Sequence, residues 1–376
     1  LDLIVKIINA VTWESMLMIF IGMLLMYLAI KKNFEPCLLL PMGFGTILAN
    51  LPLSSAIDQM IGTELVEGGL SMLFRLGIST EIFPLLIFIA VGAMCDFAPL
   101  ISNPKVFLFG LTAQMGIFLT MGLAMILGFN VFEAASIGII GAADGPTSIY
   151  VSSRFAPHLL GPISVAAYTY MALVPLIQPP VIMAITTKKE RMIKMPPSYK
   201  VVTQRSLIMF PIIVTMIGGV IAPASISLLG FLMFGNLLRV SGVTERLSQA
   251  AQNELANIVT ILLGFSISAT MTAEKFVNIS TLAIIGMGLV AFVLDTVGGV
   301  FTAKLVNLFL PKDKKINPMI GAAGISAFPM SARTIQKMGQ KADPSNFLLM
   351  HAIGANVAGQ IGSVLAGGVL LAYLGG

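Results

Sequence analysis

The chain predicts an all-α polytopic membrane protein made of two inverted repeats, each with about five transmembrane helices plus one broken or re-entrant segment. Three observations predict it. The 376 residues are 57% hydrophobic and only 10% charged, with mean hydropathy +0.94, and long apolar runs recur from Leu17 to Leu374. A soluble core does not need so many. An aspartate, Asp144, stands inside an apolar segment and is followed at once by the helix-interrupting Gly145-Pro146. That theme, Ile140-Gly-Ala-Ala-Asp-Gly-Pro, returns about 180 residues later as Ile320-Gly-Ala-Ala-Gly-Ile-Ser-Ala-Phe-Pro. Interrupted segments in corresponding places of two halves point to a transport site.

Hydropathy places spans at 15–31, 36–52, 82–98, 104–128 and 160–187 in the first half. The second half repeats them at 205–222, 224–239, 256–272, 280–310 and 345–374. Residues 1–14 read as an amphipathic lead-in to a membrane helix, not as a cleavable signal peptide, and a chain opening on Leu1 suggests a trimmed start. The organisation is therefore a first repeat over 1–187 with broken segment 133–152, a basic linker over 188–205 carrying Pro196-Pro197, and a second repeat over 206–376 with broken segment 316–332. The stretch 53–80, with Asp58, Glu64, Glu67 and Arg75, reads as an outside loop containing an interfacial helix.

Orientation follows from the basic loops at Lys31-Lys32, Lys188 to Arg205, Lys312 to Lys315 and Arg333 to Lys341. They share one side, the cytoplasm, only if each broken segment dips into the bilayer and returns. The first would enter from outside and the second from the cytoplasm, leaving five crossings per half and hence inverted halves. Ordered local likenesses support the duplication. Thr80-Glu-Ile-Phe resembles Asn253-Glu-Leu-Ala, and Gly43-Phe-Gly-Thr resembles Gly230-Phe-Leu-Met.

The net charge of +5 is accounted for by those loops, so no nucleic-acid partner is expected. Cys37 and Cys95 sit in separate apolar runs and form neither a disulfide framework nor a metal spacing. No phosphate loop or nucleophile elbow is present, which disfavours an ATP-driven pump.

The candidate chemistry centres on Asp144. A carboxylate at membrane depth costs roughly 2.5–3.5 kcal/mol on insertion scales, so it calls for a partner or a task. Thr147, Ser148 and carbonyls freed at Gly145-Pro146 are hard oxygen ligands that suit sodium or a proton. The aspartate also fits as the cap of a helix beginning at Pro146, and the two roles are compatible. In the second broken segment Asn317, Gly321 and Ser326 supply an amide, a close backbone approach and a hydroxyl; helix packing through small residues is the alternative. Tyr168 and Tyr170 place phenols in the span after Asp144, and Asn356 is the polar residue of the last span, either a cation ligand or a helix–helix bond. Arg333 either holds a carboxylate by a forked pair of hydrogen bonds or sets topology. Asp295 has no counterpart in the first half; it is a second proton or ion site, or pairs with Lys304 or Lys275.

Through Gly141-Ala-Ala-Asp-Gly-Pro-Thr147, Tyr168-Thr-Tyr-Met-Ala-Leu-Val-Pro-Leu-Ile-Gln-Pro-Pro180, Asn317 to Ser326 and His351-Ala-Ile-Gly-Ala-Asn-Val-Ala-Gly359, the chain resembles the β subunits of the sodium-pumping, biotin-dependent decarboxylases. That family includes the oxaloacetate, methylmalonyl-CoA and glutaconyl-CoA enzymes. The resemblance implies a subunit in the cytoplasmic membrane of a prokaryote that decarboxylates carboxybiotin, consumes a proton and exports Na⁺. It implies Asp144 as the central cation and proton residue and Tyr170 as its proton partner. Asn317, Gly321, Ser326 and Asn356 follow as Na⁺ ligands, and Arg333 as the contact for carboxybiotin. The carboxybiotin would arrive on a biotin carrier protein or domain loaded by a carboxyltransferase subunit. The membrane core would be a homotrimer joined by a small single-span subunit. A secondary Na⁺- or H⁺-coupled carboxylate transporter shares the inverted repeat and is the alternative.

Overall fold

The computed structural model describes residues 10–61, 64–195, 201–311 and 314–375. Most of the amphipathic lead-in, Pro196-Pro197 of the linker and Lys312-Asp313 of a basic loop lie outside the described residues.

Apolar sequence becomes helix wherever its length and caps allow. The first half holds α1 (Trp13–Lys32), α2 (Pro36–Asn50), α3 (Ile82–Met94), α4 (Phe107–Thr112), α5 (Met115–Ile126), α6 (Val131–Gly138), α7 (Gly145–Phe155) and α8 (Leu160–Ile185). The second holds α9 (Gln204–Ile221), α10 (Ile226–Val240), α11 (Ala256–Ser268), α12 (Ile279–Phe309), α13 (Met319–Ala322), α14 (Met330–Ala342) and α15 (Leu349–Leu374). Thr12 and Ser15 form a capping box that starts α1, and Asn33 in the left-handed region ends it. Among the described residues seven helical stretches are long and apolar enough to cross a membrane. The chain is a multi-pass membrane protein. The stretch 53–80 holds a hairpin of β1 (Gln59–Ile61) and β2 (Glu64–Val66), then a short helix, Gly69–Phe74. That helix and its π-helical turn at Arg75–Ser79 bend by 62° into α3. A second π-helical turn, Ala251–Leu255, precedes α11 at the matching place.

Packing is reciprocal between the halves. Helix α2 lies on α11 and α10 on α3; α4 lies on α15 and α8 on α12. The second arm of each broken segment packs on the last helix of the other half, α7 on α15 and α14 on α8. Small residues allow this, since a Cβ on Gly235 would lie 2.0 Å from the Ile89 carbonyl oxygen. Helices α8 and α15 are buried along most of their length and form the centre, whereas α9 turns Met209, Ile213, Met216 and Val220 outward.

The linker is tied down by side chains that sequence spacing cannot connect. The buried Asn317 amide donates to the carbonyls of Arg191 and Ile193, both at 2.9 Å, and Asn346 reaches the same two. Lys194 pairs with Asp343 at 3.0 Å, and the two hydrogen bonds from Ser345, helped by that ion pair, hold the Asp343 carboxyl down at about 2. Lys304 pairs with Glu190 at 3.1 Å. Asn317→Ala removes three hydrogen bonds at a buried position and is expected to cost about 1–3 kcal/mol, read as a lower midpoint of thermal unfolding in detergent.

Candidate functional site

Each broken segment enters and leaves at one end of the bundle, and the two ends are opposite. In the first segment, Glu133 near its start meets His158 just past its finish at 2.9 Å, and Phe132 packs tilted against Phe155 with ring centroids 5.4 Å apart. In the second, Asn317 and Asp343 both hold the linker. Helix α15 runs between these ends, from beside the linker at Leu349 to Gly375, which lies against Phe155.

The segments meet midway. Helix α6 tightens into a 3-10 turn at Ile139–Ala142, and Ala143 then takes a left-handed conformation (φ +52°), which turns the chain back at Asp144. A left-handed non-glycine residue costs of order 1 kcal/mol and persists only where its surroundings enforce it. Asp144 caps α7, and Pro146 sits in its first turn, where the missing N–H is harmless. The Ala142 carbonyl accepts the backbone N–H of Ser326 at 3.0 Å, so a backbone hydrogen bond joins the two interruptions.

Asp144 is buried, with hydroxyls arranged around it. Its Oδ2 accepts from Thr147 Oγ1 at 2.8 Å and from Ser363 Oγ on α15 at 2.7 Å; its Oδ1 accepts the Thr147 N–H at 3.3 Å. The positive end of the α7 dipole faces the same carboxyl. Ser148 donates to the Asp144 carbonyl at 2.8 Å. At a rise of 1.5 Å per residue, Ser363 lies about 21 Å from the linker end of α15 and about 17 Å from the other, so the carboxyl sits near mid-depth.

Below Ser363 on α15, a polar stripe continues through Gln360 and Asn356. Ser326 donates to the Gly359 carbonyl at 2.7 Å, and Gln360 donates to the Ser326 carbonyl. Asn356 donates to the Ala323 and Ile325 carbonyls at 3.2 and 2.6 Å, leaving its buried Oδ1 without a hydrogen-bond partner among the described residues. A bare oxygen there is a ready ligand for a cation, since leaving it unpaired costs about 1–3 kcal/mol. Gln178 on α8 closes the other side of the loop, donating to the Ala322 carbonyl at 2.7 Å and to Ser331 at 3.0 Å.

The residues singled out from sequence thus divide. Asp144, Ser326 and Asn356 are brought together through Ala142, Gly359 and α15. Gly321 lies at the α12 crossing, where a Cβ would stand 1.9 Å from the Gly299 carbonyl oxygen; it sets how closely the second segment can approach. Asn317 spends its amide on the linker and its Oδ1 on the Met319 N–H. Arg333 is exposed on the first turn of α14, seven residues beyond Ser326. Tyr170 donates to the Ile285 carbonyl, which directs it to α12 and not to Asp144. Its neighbour Tyr168 stands at the Asp144 turn instead, with its ring so close that a Cβ on Gly145 would lie 2.2 Å away. Ser363, Gln360 and Gln178 escape the sequence reading. The first two carry a usable signal, because Asn356, Gln360 and Ser363 repeat at four and three residues in an apolar helix.

Comparison with known proteins adds a line of evidence independent of this geometry. A family model described as the Na⁺-transporting oxaloacetate decarboxylase β subunit matches residues 14–374. The glutaconyl-CoA decarboxylase subunit β of Acidaminococcus fermentans is 53% identical over 367 residues, covering 98% of this chain and 95% of its own. The methylmalonyl-CoA decarboxylase subunit β of Veillonella parvula is 53% identical over 365 residues, covering 97% and 94% respectively. The oxaloacetate decarboxylase β chain of Klebsiella pneumoniae is 45% identical over 412 aligned positions, covering 95% and 94%.

Proposed function

The chain belongs to the family of Na⁺-transporting oxaloacetate decarboxylase β subunits, and from that premise we propose that it is the membrane subunit that breaks down carboxybiotin and exports sodium. The observation that carries this reading is the buried Asp144 carboxyl, lined with hydroxyls, where two interrupted segments from opposite ends meet. A carboxylate in a poorly solvated pocket needs a compensating cation, and sodium with hard oxygen ligands satisfies it.

Asp144, Ser326 and Asn356 hold Na⁺, with Thr147 and Ser363 as hydroxyl ligands. Gly321 and Asn317 keep the second segment in place, Gly321 by close approach and Asn317 by anchoring its start. The two repeats, 1–187 and 206–376, are inverted with respect to one another; reciprocal packing and the opposite entry of their broken segments support this. The linker end faces the cytoplasm in the cell membrane of a prokaryote, as its basic residues require. There a biotin carrier, loaded by a carboxyltransferase subunit, presents carboxybiotin to Arg333. The N-carboxyl group leaves as CO₂, and the nitrogen takes the consumed proton. A small single-span subunit and two further copies of this chain complete the membrane core.

Coupling works by exclusion. Asp144 accommodates Na⁺ or a proton, never both, because either one neutralises it. Breakdown of carboxybiotin draws a proton, and the change in occupancy moves the segments between inward and outward access.

The decisive experiment measures Na⁺-stimulated breakdown of carboxybiotin by the purified membrane complex. Stimulation that avidin abolishes is expected. Sodium-coupled uptake of a small carboxylate by this chain alone in liposomes, driven only by gradients, would overturn the reading in favour of a secondary carrier. Within the site, Ser363→Ala removes one hydroxyl from Asp144 and is expected to raise the half-saturating Na⁺ concentration about tenfold, the scale of one hydrogen bond to a charged group.

A further inference from the structure

One buried carboxyl, Asp295, has no part in the site described so far. It lies mid-way along α12 with no solvent exposure, among residues that include no charged partner. Its Oδ1 accepts the backbone N–H of Gly116 at the start of α5, just past the point where helix α4 has broken off. Its Oδ2 has no hydrogen-bond partner among the described residues.

What surrounds Oδ2 decides which species can neutralise it. A Cβ on Gly141 would stand 2.6 Å from Oδ2 and 3.0 Å from the Ala291 side chain; a Cβ on Gly116 would stand 2.4 Å from Oδ1 and 2.7 Å from the Ala291 carbonyl oxygen. Backbone and methyl groups close on the carboxyl from both sides. A sodium ion with its shell of oxygens has no room there, whereas a proton needs none. An ionised oxygen left bare at this depth would cost several kcal/mol.

The charged and titratable groups on the elements packed against α12 are all engaged elsewhere. Glu133 on α6 meets His158, Tyr170 on α8 bonds the Ile285 carbonyl, Asp144 bonds Thr147 and Ser363, and Tyr168 lies on Gly145. On α12 itself Lys304 is paired with Glu190, and Lys275 precedes the helix, whose start is about 24 Å from Asp295. Helices α4, α5 and α13 carry no charged residue.

We infer that Asp295 holds a proton in this state and is a second exchangeable proton site, separate from the carboxyl that takes sodium. Its cover is Gly141, in the 3-10 turn of the same segment that carries Asp144. When that segment shifts, Oδ2 is uncovered and its proton can leave; when the segment returns, a proton must be taken up first. This inference rests on the sodium-pump reading and adds to it: beside the carboxyl where sodium and a proton exclude one another, a second carboxyl carries a proton of its own.

The test uses the intact membrane complex, comparing the wild type with Asp295→Asn at saturating Na⁺. The amide keeps an acceptor for the Gly116 N–H but cannot exchange a proton. Infrared spectra should show a carboxylic-acid carbonyl band in the wild type that Asp295→Asn removes. Decarboxylation-driven ²²Na⁺ uptake into inverted vesicles should fall at least about tenfold, with ²²Na⁺ binding within twofold of wild type. A band that survives the substitution, or sodium transport with an unchanged pH profile, would overturn the inference. Should the Asn variant not assemble, Asp295→Glu keeps the acid and must shift the band; an unmoved band overturns the inference equally. Absence of Na⁺-stimulated decarboxylation in the wild type would instead count against the pump reading, and the infrared result stands apart from it.

Discussion

Asp144→Asn is expected to lower Na⁺-stimulated decarboxylation by at least about a hundredfold while the complex still assembles. The two halves of that statement come from different roles of one side chain. As a helix cap, asparagine is about as good as aspartate, and its amide can still serve Thr147 and Ser363. Stability should therefore change little. As a cation ligand, the variant lacks the negative charge that draws sodium into a poorly solvated pocket, and it cannot take a proton in sodium's place. Thermal unfolding in detergent and sodium-dependent turnover in vesicles separate the two roles. Full sodium-dependent turnover in the variant would remove the central claim.

Gly321→Ala is expected to do the reverse, destabilising the fold by at least about 3 kcal/mol, at the upper end of overpacking costs. Its Cβ would lie 1.9 Å from the Gly299 carbonyl oxygen and 2.4 Å from the carbonyl carbon. Both are backbone atoms of α12, so no rotamer change relieves the clash; either the second broken segment or α12 must move. Movement of α12 would in turn disturb Asp295 and the start of α5. Gly286→Ala, on α12 with nothing within 4 Å of the added carbon, is the control and should leave the unfolding midpoint nearly unchanged. Equal behaviour of the two variants would mean that the close crossing has no structural weight.

The helices were legible because their signal is local. The span read at 15–31 is Trp13–Lys32, that at 280–310 is Ile279–Phe309, and that at 345–374 is Leu349–Leu374. The turn at Asp144 was legible for the same reason: aspartate, glycine and proline in sequence specify a cap and a helix start without reference to anything distant. What sequence could not convey is rotation about a helix axis and pairing across the chain. Tyr168 and Tyr170 lie two residues apart, and only the packing of α8 decides that Tyr168 lies on the Asp144 turn while Tyr170 bonds Ile285. Asn317 looks like a ligand in one dimension, yet its partners are carbonyls 124 and 126 residues away. The rival pairing of Asp295 with Lys304 gives way to Glu190, a partner from the linker.

The mid-depth position of the Asp144 carboxyl has an electrical consequence. With comparable lengths of α15 on either side of Ser363, an ion travelling between that carboxyl and either surface traverses roughly half of the transmembrane voltage drop. Each half-journey then performs about 1.2 kcal/mol of electrical work per charge at 100 mV, and neither access step alone carries the full load.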